Sequence, residues 1–168
     1  MKKIGDKKAQ GVFGMPFVVI FSIILIVVFL AVAIYVIIHL VDIGECSKVK
    51  LFIEDFETDV KNSWLAEKGS TRTFSSILPS YIKHVCFADL TKDADAASEF
   101  KDIHNELKED GDDTDNMFFY PTGKSCIASV KIQHIDPHLE ENNPNCIPVV
   151  NGKVEIKLEK EENLVKVS

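Results

Sequence analysis

FVVIFSIILIVVFLAVAIYVIIHL, residues Phe17 to Leu40, is a run of 24 residues without Asp, Glu, Lys or Arg. Nineteen of them are Leu, Ile, Val or Phe, and at about 0.3–0.6 kcal/mol each near a helix centre they favour insertion into lipid by roughly 6–11 kcal/mol. As a helix the run is about 36 Å long, against an apolar bilayer core of about 30 Å. Ser22 can return its hydroxyl to its own helix, while Tyr35 and His39 lie toward one interface. Pro16 suits the first turn, where a missing N–H costs no helical hydrogen bond. No face of the run is polar, so it does not read as the core helix of a soluble domain. It also exceeds the apolar region of about 7–15 residues in a cleaved secretory signal. The exit Leu40-Val41-Asp42-Ile43-Gly44-Glu45-Cys46 offers no small-x-small cleavage site, and Glu45 beside Cys46 spoils a lipoprotein-like box. The run therefore reads as a retained anchor.

Outward from it, the chain divides into a basic cytoplasmic tail (1–11), a transmembrane helix (12–41) and an extracytoplasmic domain (42–168). Lys2, Lys3, Lys7 and Lys8 precede the span, while only Lys48 and Lys50 follow it closely. The excess of lysine on the N-terminal side sets the N-terminus in the cytoplasm and the C-terminal domain outside the cell membrane. Against Asp6 the four lysines give the tail +3, which leaves −10 of the formal net −7 on the remainder. That acidity argues against a nucleic-acid partner, which requires a basic face.

Lys7-Lys8-Ala9-Gln10-Gly11 followed by a long apolar helix resembles the class III signal peptide of archaeal type IV pilin-like proteins. The resemblance implies cleavage between Ala9 and Gln10. It also implies a first helix that stays on the mature protein, packs into a filament core and continues as an amphipathic half on a β-rich head. The chain departs from the family at Gly14, where many members carry a Glu that helps subunits register during assembly. His84-Val85-Cys86-Phe87 and Phe118-Phe119-Tyr120-Pro121 give the rest a similarity to archaeal single-pass membrane proteins, which carries no activity with it.

Beyond the span, Ser47 can cap a helix running to about Glu67. Val49, Phe52, Ile53, Phe56, Val60 and Trp64 form one stripe of it, opposite Lys50, Glu54, Glu57, Lys61 and Asn62. Gly69 suits its stop, and Gly44 leaves a kink or continuity with the membrane helix open. Strands are expected at Thr71–Leu78 and Tyr81–Leu90, parted by Pro79-Ser80. Thr91–Asp110 reads as a second helix with Ala97, Phe100, Ile103 and Leu107 on one side, followed by an acidic loop. Met117–Tyr120, Cys126–Ile135, Cys146–Val150, Lys153–Lys160 and Leu164–Ser168 read as further strands. Asn151-Gly152 marks a two-residue hairpin, which sets Val149 opposite Val154 and Ile147 opposite Ile156, all facing the core. The alternation from Lys153 to Glu159 gives that strand one wet face. The fold class is α+β: a transmembrane helix, then an amphipathic helix on an antiparallel sheet with a second flanking helix.

Cys46, Cys86, Cys126 and Cys146 all follow the span, and an even number on the outer side fits two disulfides. Cys146 precedes Ile147, so it points away from the Ile147/Val149 face. Three pairings are open, and Cys86–Cys126 or Cys126–Cys146 within the sheet is favoured. His84-Val85-Cys86 and His134-Ile135-Asp136-Pro137-His138 hold ligand-type residues, but no closely spaced cysteine pair accompanies them, and Pro137 keeps His134 and His138 off a shared helix face. Glu109–Asn116 has ligand types for calcium but not the EF-hand order, which needs glycine at the sixth place and glutamate at the twelfth, and it reads as solvated. No metal or cofactor is expected, and no nucleophile elbow, zinc-protease, phosphate-loop or dinucleotide motif occurs. With a single arginine, Arg72, the 18 lysines form no phosphate-reading cluster, and Trp64 belongs to the stripe.

The functional expectation is a non-enzymatic, single-pass, membrane-anchored surface protein of structural or interaction type. Its specific form would be a pilin-like subunit that self-assembles. The alternative is a membrane-tethered binding module or accessory subunit of an envelope complex, and an ectoenzyme ranks last.

Overall fold

The computed structural model of the chain describes residues 14–95, 98–135 and 143–168. Its order is α1 (Gly14–Trp64), β1 (Thr71–Ile77), β2 (His84–Phe87), α2 (Lys101–Asp110), β3 (Met117–Tyr120), β4 (Ser129–Val130), β5 (Asn145–Pro148), β6 (Lys153–Lys160) and β7 (Val165–Val167). The chain divides into two compact units between Ile43 and Gly44. The fold is α+β, with a long N-terminal apolar helix and antiparallel sheets.

In the first unit the helix is long and apolar enough to cross a membrane. Every Leu, Ile, Val and Phe from Phe17 to Val41 is at least 39% exposed. Ser22 donates its hydroxyl to the Val18 carbonyl at 2.8 Å, as its place in the apolar run requires.

The second unit begins in the same helix, so the two helices expected on either side of Gly44 are continuous. The helix closes at Trp64, short of Glu67. Val49, Phe52, Ile53, Phe56 and Val60 are buried, and Trp64 packs partly buried at the stripe's end. Phe52 and Phe56 stack at 5.8 Å, and both meet Phe74 of β1 edge-on at 5.4 and 5.2 Å. Phe52 also meets Phe119 of β3, and Phe56 meets Phe87 of β2, each at 5.7 Å. One aromatic cluster therefore joins α1 to strands of two different sheets.

Those sheets replace the single sheet expected. One has the order β1-β6-β7 and the other β4-β3-β2-β5. In the first, Val154, Ile156 and Leu158 are buried while Lys153, Glu155 and Lys157 are exposed, as the alternation requires. The second is covered on both faces. Val85, Phe87, Met117 and Phe119 join the α1 core. Cys86, Phe118 and Cys146 join Leu107, Phe100 and Ile103 of the α2 segment on the other face.

The Asn151-Gly152 turn forms with positive φ at both residues, 53° and 76°. Its ladder stops at once, however. Val150 and Lys153 exchange both backbone hydrogen bonds at 2.9 Å, and the next hydrogen-bonded pair would need an N–H from Pro148, which has none. The chain parts there, so the expected pairing of Ile147 with Ile156 and Val149 with Val154 does not occur. Ile147 pairs with Val85, whereas Ile156 pairs with Phe74 and Val154 with Ser76.

The second helix begins ten residues later than Thr91, at Lys101. Upstream, Asp89 accepts from the Thr91 N–H and hydroxyl at 3.1 and 2.5 Å. The Asp95 carboxylate accepts from the Asn143 N–H at 2.8 Å. The Asp89–Thr91 bonds are local and offer the backbone an alternative to helix, while the Asp95–Asn143 bond ties the segment to a residue 48 positions away. Ala97 lies outside the described residues.

Candidate functional site

The four cysteines converge as two disulfides. Cys86 and Cys146 are register partners on β2 and β5, with α-carbons 4.0 Å apart, and both are buried on the face covered by α2. Cys46 of α1 joins Cys126, in the loop after β3, with α-carbons 5.7 Å apart. Neither favoured pairing, Cys86–Cys126 or Cys126–Cys146, is formed. The strand order explains this, because β5 lies at the opposite edge of its sheet from β4, to which the Cys126 loop leads. Cys146 meets Cys86 directly, while the Cys126 loop reaches back to α1. The bonds span sequence separations of 80 and 60 residues, and closing loops of that size is worth about 4 kcal/mol each in the chain-entropy account. Two disulfides fit an oxidising compartment.

The histidines are dispersed. His84 on β2 is the register partner of Tyr120 and of Pro148. Its ring lies 5.7 Å from Phe100 and 6.1 Å from Tyr120, and its Nδ1 is buried without a hydrogen-bond partner among the described residues. Burial holds its pKa below the ordinary histidine value, with the nearby Glu99 carboxylate opposing. The Tyr120 phenol is held above its ordinary value by desolvation and then by Glu106. His104 of α2 is buried, and neither ring nitrogen has a partner among the described residues. His134 adopts a positive φ of 67° and stacks on Trp64 at 3.9 Å. His138 lies outside the described residues, as do Ala9 and Gln10. Cys86 is held in a disulfide, and no group of three His, Cys, Asp or Glu gathers among the described residues.

Two carboxylates of the acidic loop are engaged, Asp112 within the loop and Asp115 with β4. Asp112 accepts from the Thr114 N–H and hydroxyl, each at 2.9 Å, and these bonds hold its pKa below the usual carboxylate value. Asp115 accepts from the Ser129 hydroxyl at 2.6 Å. Asn116 fastens the loop's end by accepting from the Ile132 N–H at 2.7 Å and donating to the Ile132 carbonyl at 2.9 Å.

Two open clefts flank the Trp64–His134 stack. One of about 580 Å³ is lined by Lys68, Gly69 and residues 159–164. The other, about 290 Å³, is lined by Glu57, Lys61 and residues 131–134. Between them, the Trp64 indole donates to the Asn163 carbonyl at 2.9 Å, and the Lys160 ammonium lies 5.5 Å from the centre of its ring. The burial of Lys160 was legible in one signal the sequence reading did not use: it shares the parity of Val154, Ile156 and Leu158 on β6. Lysine and glutamate make up much of the two linings, with Glu57, Lys61, Lys68, Lys131 and Glu162 exposed and Lys160 buried.

No protein-family model, curated protein or solved structure matches the chain.

Proposed function

We propose that the protein is a single-pass membrane protein, N-terminus in the cytoplasm and head outside, that acts by structural contact rather than by catalysis. The observation that carries this reading is α1. Its apolar first part leaves every large side chain uncovered, while its later stripe is the core of the head. Bare apolar surface of that extent is stable in lipid and not in water. The lysine-rich tail supports the orientation, and the two disulfides support an oxidising exterior. The test is fractionation of cells making the full chain. Retention in membranes after alkaline washing is expected, and recovery in the wash would overturn the proposal.

A pilin-like subunit is the more specific form. The helix assigned without a break from Gly14 to Trp64 favours it, because the resemblance implies that the apolar part and the head-forming part belong to one helical segment. In this form the exposed apolar part packs against copies of itself. N-terminal sequencing of the mature protein discriminates: a start at Gln10 supports the subunit, and an intact Met1 leaves the plain anchor. In the second reading, a tethered binding module, the acidic head selects cationic partners. Salt-sensitive co-purification from mild detergent would support that reading, and a monomer at every salt concentration would oppose it.

A further inference from the structure

We propose that the cleft beside the turn between β6 and β7 binds a small zwitterion, a molecule of the amino-acid class, with Lys160 meeting its carboxylate and Glu161 its ammonium group.

Lys160 is the first observation. Every other lysine among the described residues is exposed or half-buried, whereas Lys160 is 8% exposed. Its place on β6 causes this. It shares the parity of Val154, Ile156 and Leu158, its N–H donates to the Ser70 carbonyl at 2.9 Å, and its carbonyl accepts from the Gly69 N–H at 2.8 Å. The strand therefore holds the apolar stem inside the head. An ammonium withdrawn from water is stable when a carboxylate answers it. Among the described residues Lys160 has no ion pair. Two glutamates that line the same cleft are turned to other lysines, Glu159 to Lys157 at 3.4 Å and Glu162 to Lys68 at 2.5 Å. The Trp64 ring, 5.5 Å from the ammonium, gives a cation–π contact, which returns part of the lost hydration and leaves the charge uncompensated.

The cleft is the second. Its volume of about 580 Å³ lies inside the range of small-molecule sites, about 300–1,000 Å³. With the two lysine–glutamate pairs set aside, its lining keeps one charge of each sign, Lys160 and Glu161. These two form no ion pair with each other, and the Glu161 N–H closes the turn by donating to the Leu164 carbonyl at 3.0 Å. A simple anion would meet Lys160 against the field of Glu161, and a simple cation would meet the reverse. A ligand that carries both charges satisfies both residues. Asn163 lines the cleft and accepts from the Trp64 indole at 2.9 Å, so the indole is coupled to the site on two sides, through Lys160 and through Asn163.

The chain has a single tryptophan, which makes the site measurable by its emission. Full-length protein in mild detergent is titrated with glycine and with β-alanine, and with acetate and methylammonium as carriers of one charge, all at constant ionic strength. Trp64 emission is expected to change saturably with at least one zwitterion, at concentrations about tenfold or more below those that acetate or methylammonium requires. Lys160→Met keeps the stem and removes the charge. It should unfold at the same or a higher temperature than the unsubstituted protein, because the charge it removes is unpaired, and it should lose the response. Glu161→Gln should bring the zwitterion down to the affinity of acetate. No saturable response to either zwitterion, equal affinities for acetate and the zwitterions, or an unchanged response in Lys160→Met overturns the proposal. A lower unfolding temperature for Lys160→Met also overturns it, since the charge would then be satisfied within the protein.

Discussion

Cys86 and Cys146 face one another across β2 and β5, and their bond is sealed under Leu107, Phe100 and Ile103. Cys46–Cys126 is different, because Cys126 is exposed to solvent. Thiol–disulfide exchange needs access for the attacking thiolate. Graded reduction followed by alkylation should therefore label Cys46 and Cys126 well before Cys86 and Cys146. Simultaneous labelling of all four would contradict the burial of the inner bond. Removing that bond by Cys86→Ala with Cys146→Ala should lower head stability by about 2–5 kcal/mol, read by denaturant unfolding in detergent.

Phe52 and Phe56 carry the contact between α1 and both sheets. Phe52→Ala or Phe56→Ala should each cost about 3–5 kcal/mol, because the cavity lies where three layers meet. Leu51, on the same helix but 57% exposed, should tolerate alanine within about 0.5 kcal/mol. Equal effects at positions 51 and 52 would contradict the direction of the stripe.

His84 gives the head a pH dependence of defined sign. Burial lowers its pKa in the folded state, so in the window just below the ordinary value the unfolded chain binds more protons than the folded one. The stability contributed by neutral His84 is complete above about pH 6.5 and falls as the pH drops through the lowered value. His84→Asn should flatten that decline relative to the unsubstituted protein, measured by unfolding midpoints across mildly acidic pH. An identical decline in both would assign it to other groups.

Gly111 ends α2 where a β-carbon would meet the Leu107 carbonyl at 2.5 Å and the Phe118 and Leu90 side chains at 3.0 and 3.1 Å. Gly111→Ala should therefore destabilise the head by about 1–3 kcal/mol, as overpacking does. Gly44, with nothing within 4 Å, should accept alanine with no loss and a small gain of about 0.5–1 kcal/mol in helix propensity. Thermal unfolding of the two variants separates the cases.

Local periodicity made much of this fold legible. The spacing of Val49, Phe52, Ile53, Phe56 and Val60 identified the buried helix face, and alternation identified β6 from Lys153 to Lys160. Parity also turned Cys146 away from the α1 core, where the structure has it. The failures were non-local or chemical. Asn151-Gly152 makes its turn, but Pro148 cannot donate to a continuing ladder, so β5 and β6 enter different sheets. The Asp89 carboxylate engages the Thr91 N–H and the Asn143 carbonyl engages the Asp95 N–H, both in backbone that helix periodicity had claimed. The disulfide partners depend on the order β4-β3-β2-β5, which no spacing in the chain encodes.

Protease added to sealed cells that make the full chain with a C-terminal epitope is the most direct test of the anchored, outward-facing head. The anchored account predicts that the epitope is lost from intact cells while a short fragment containing Phe17–Leu40 stays in washed membranes. An epitope that survives in intact cells and is digested once they are permeabilised would contradict it.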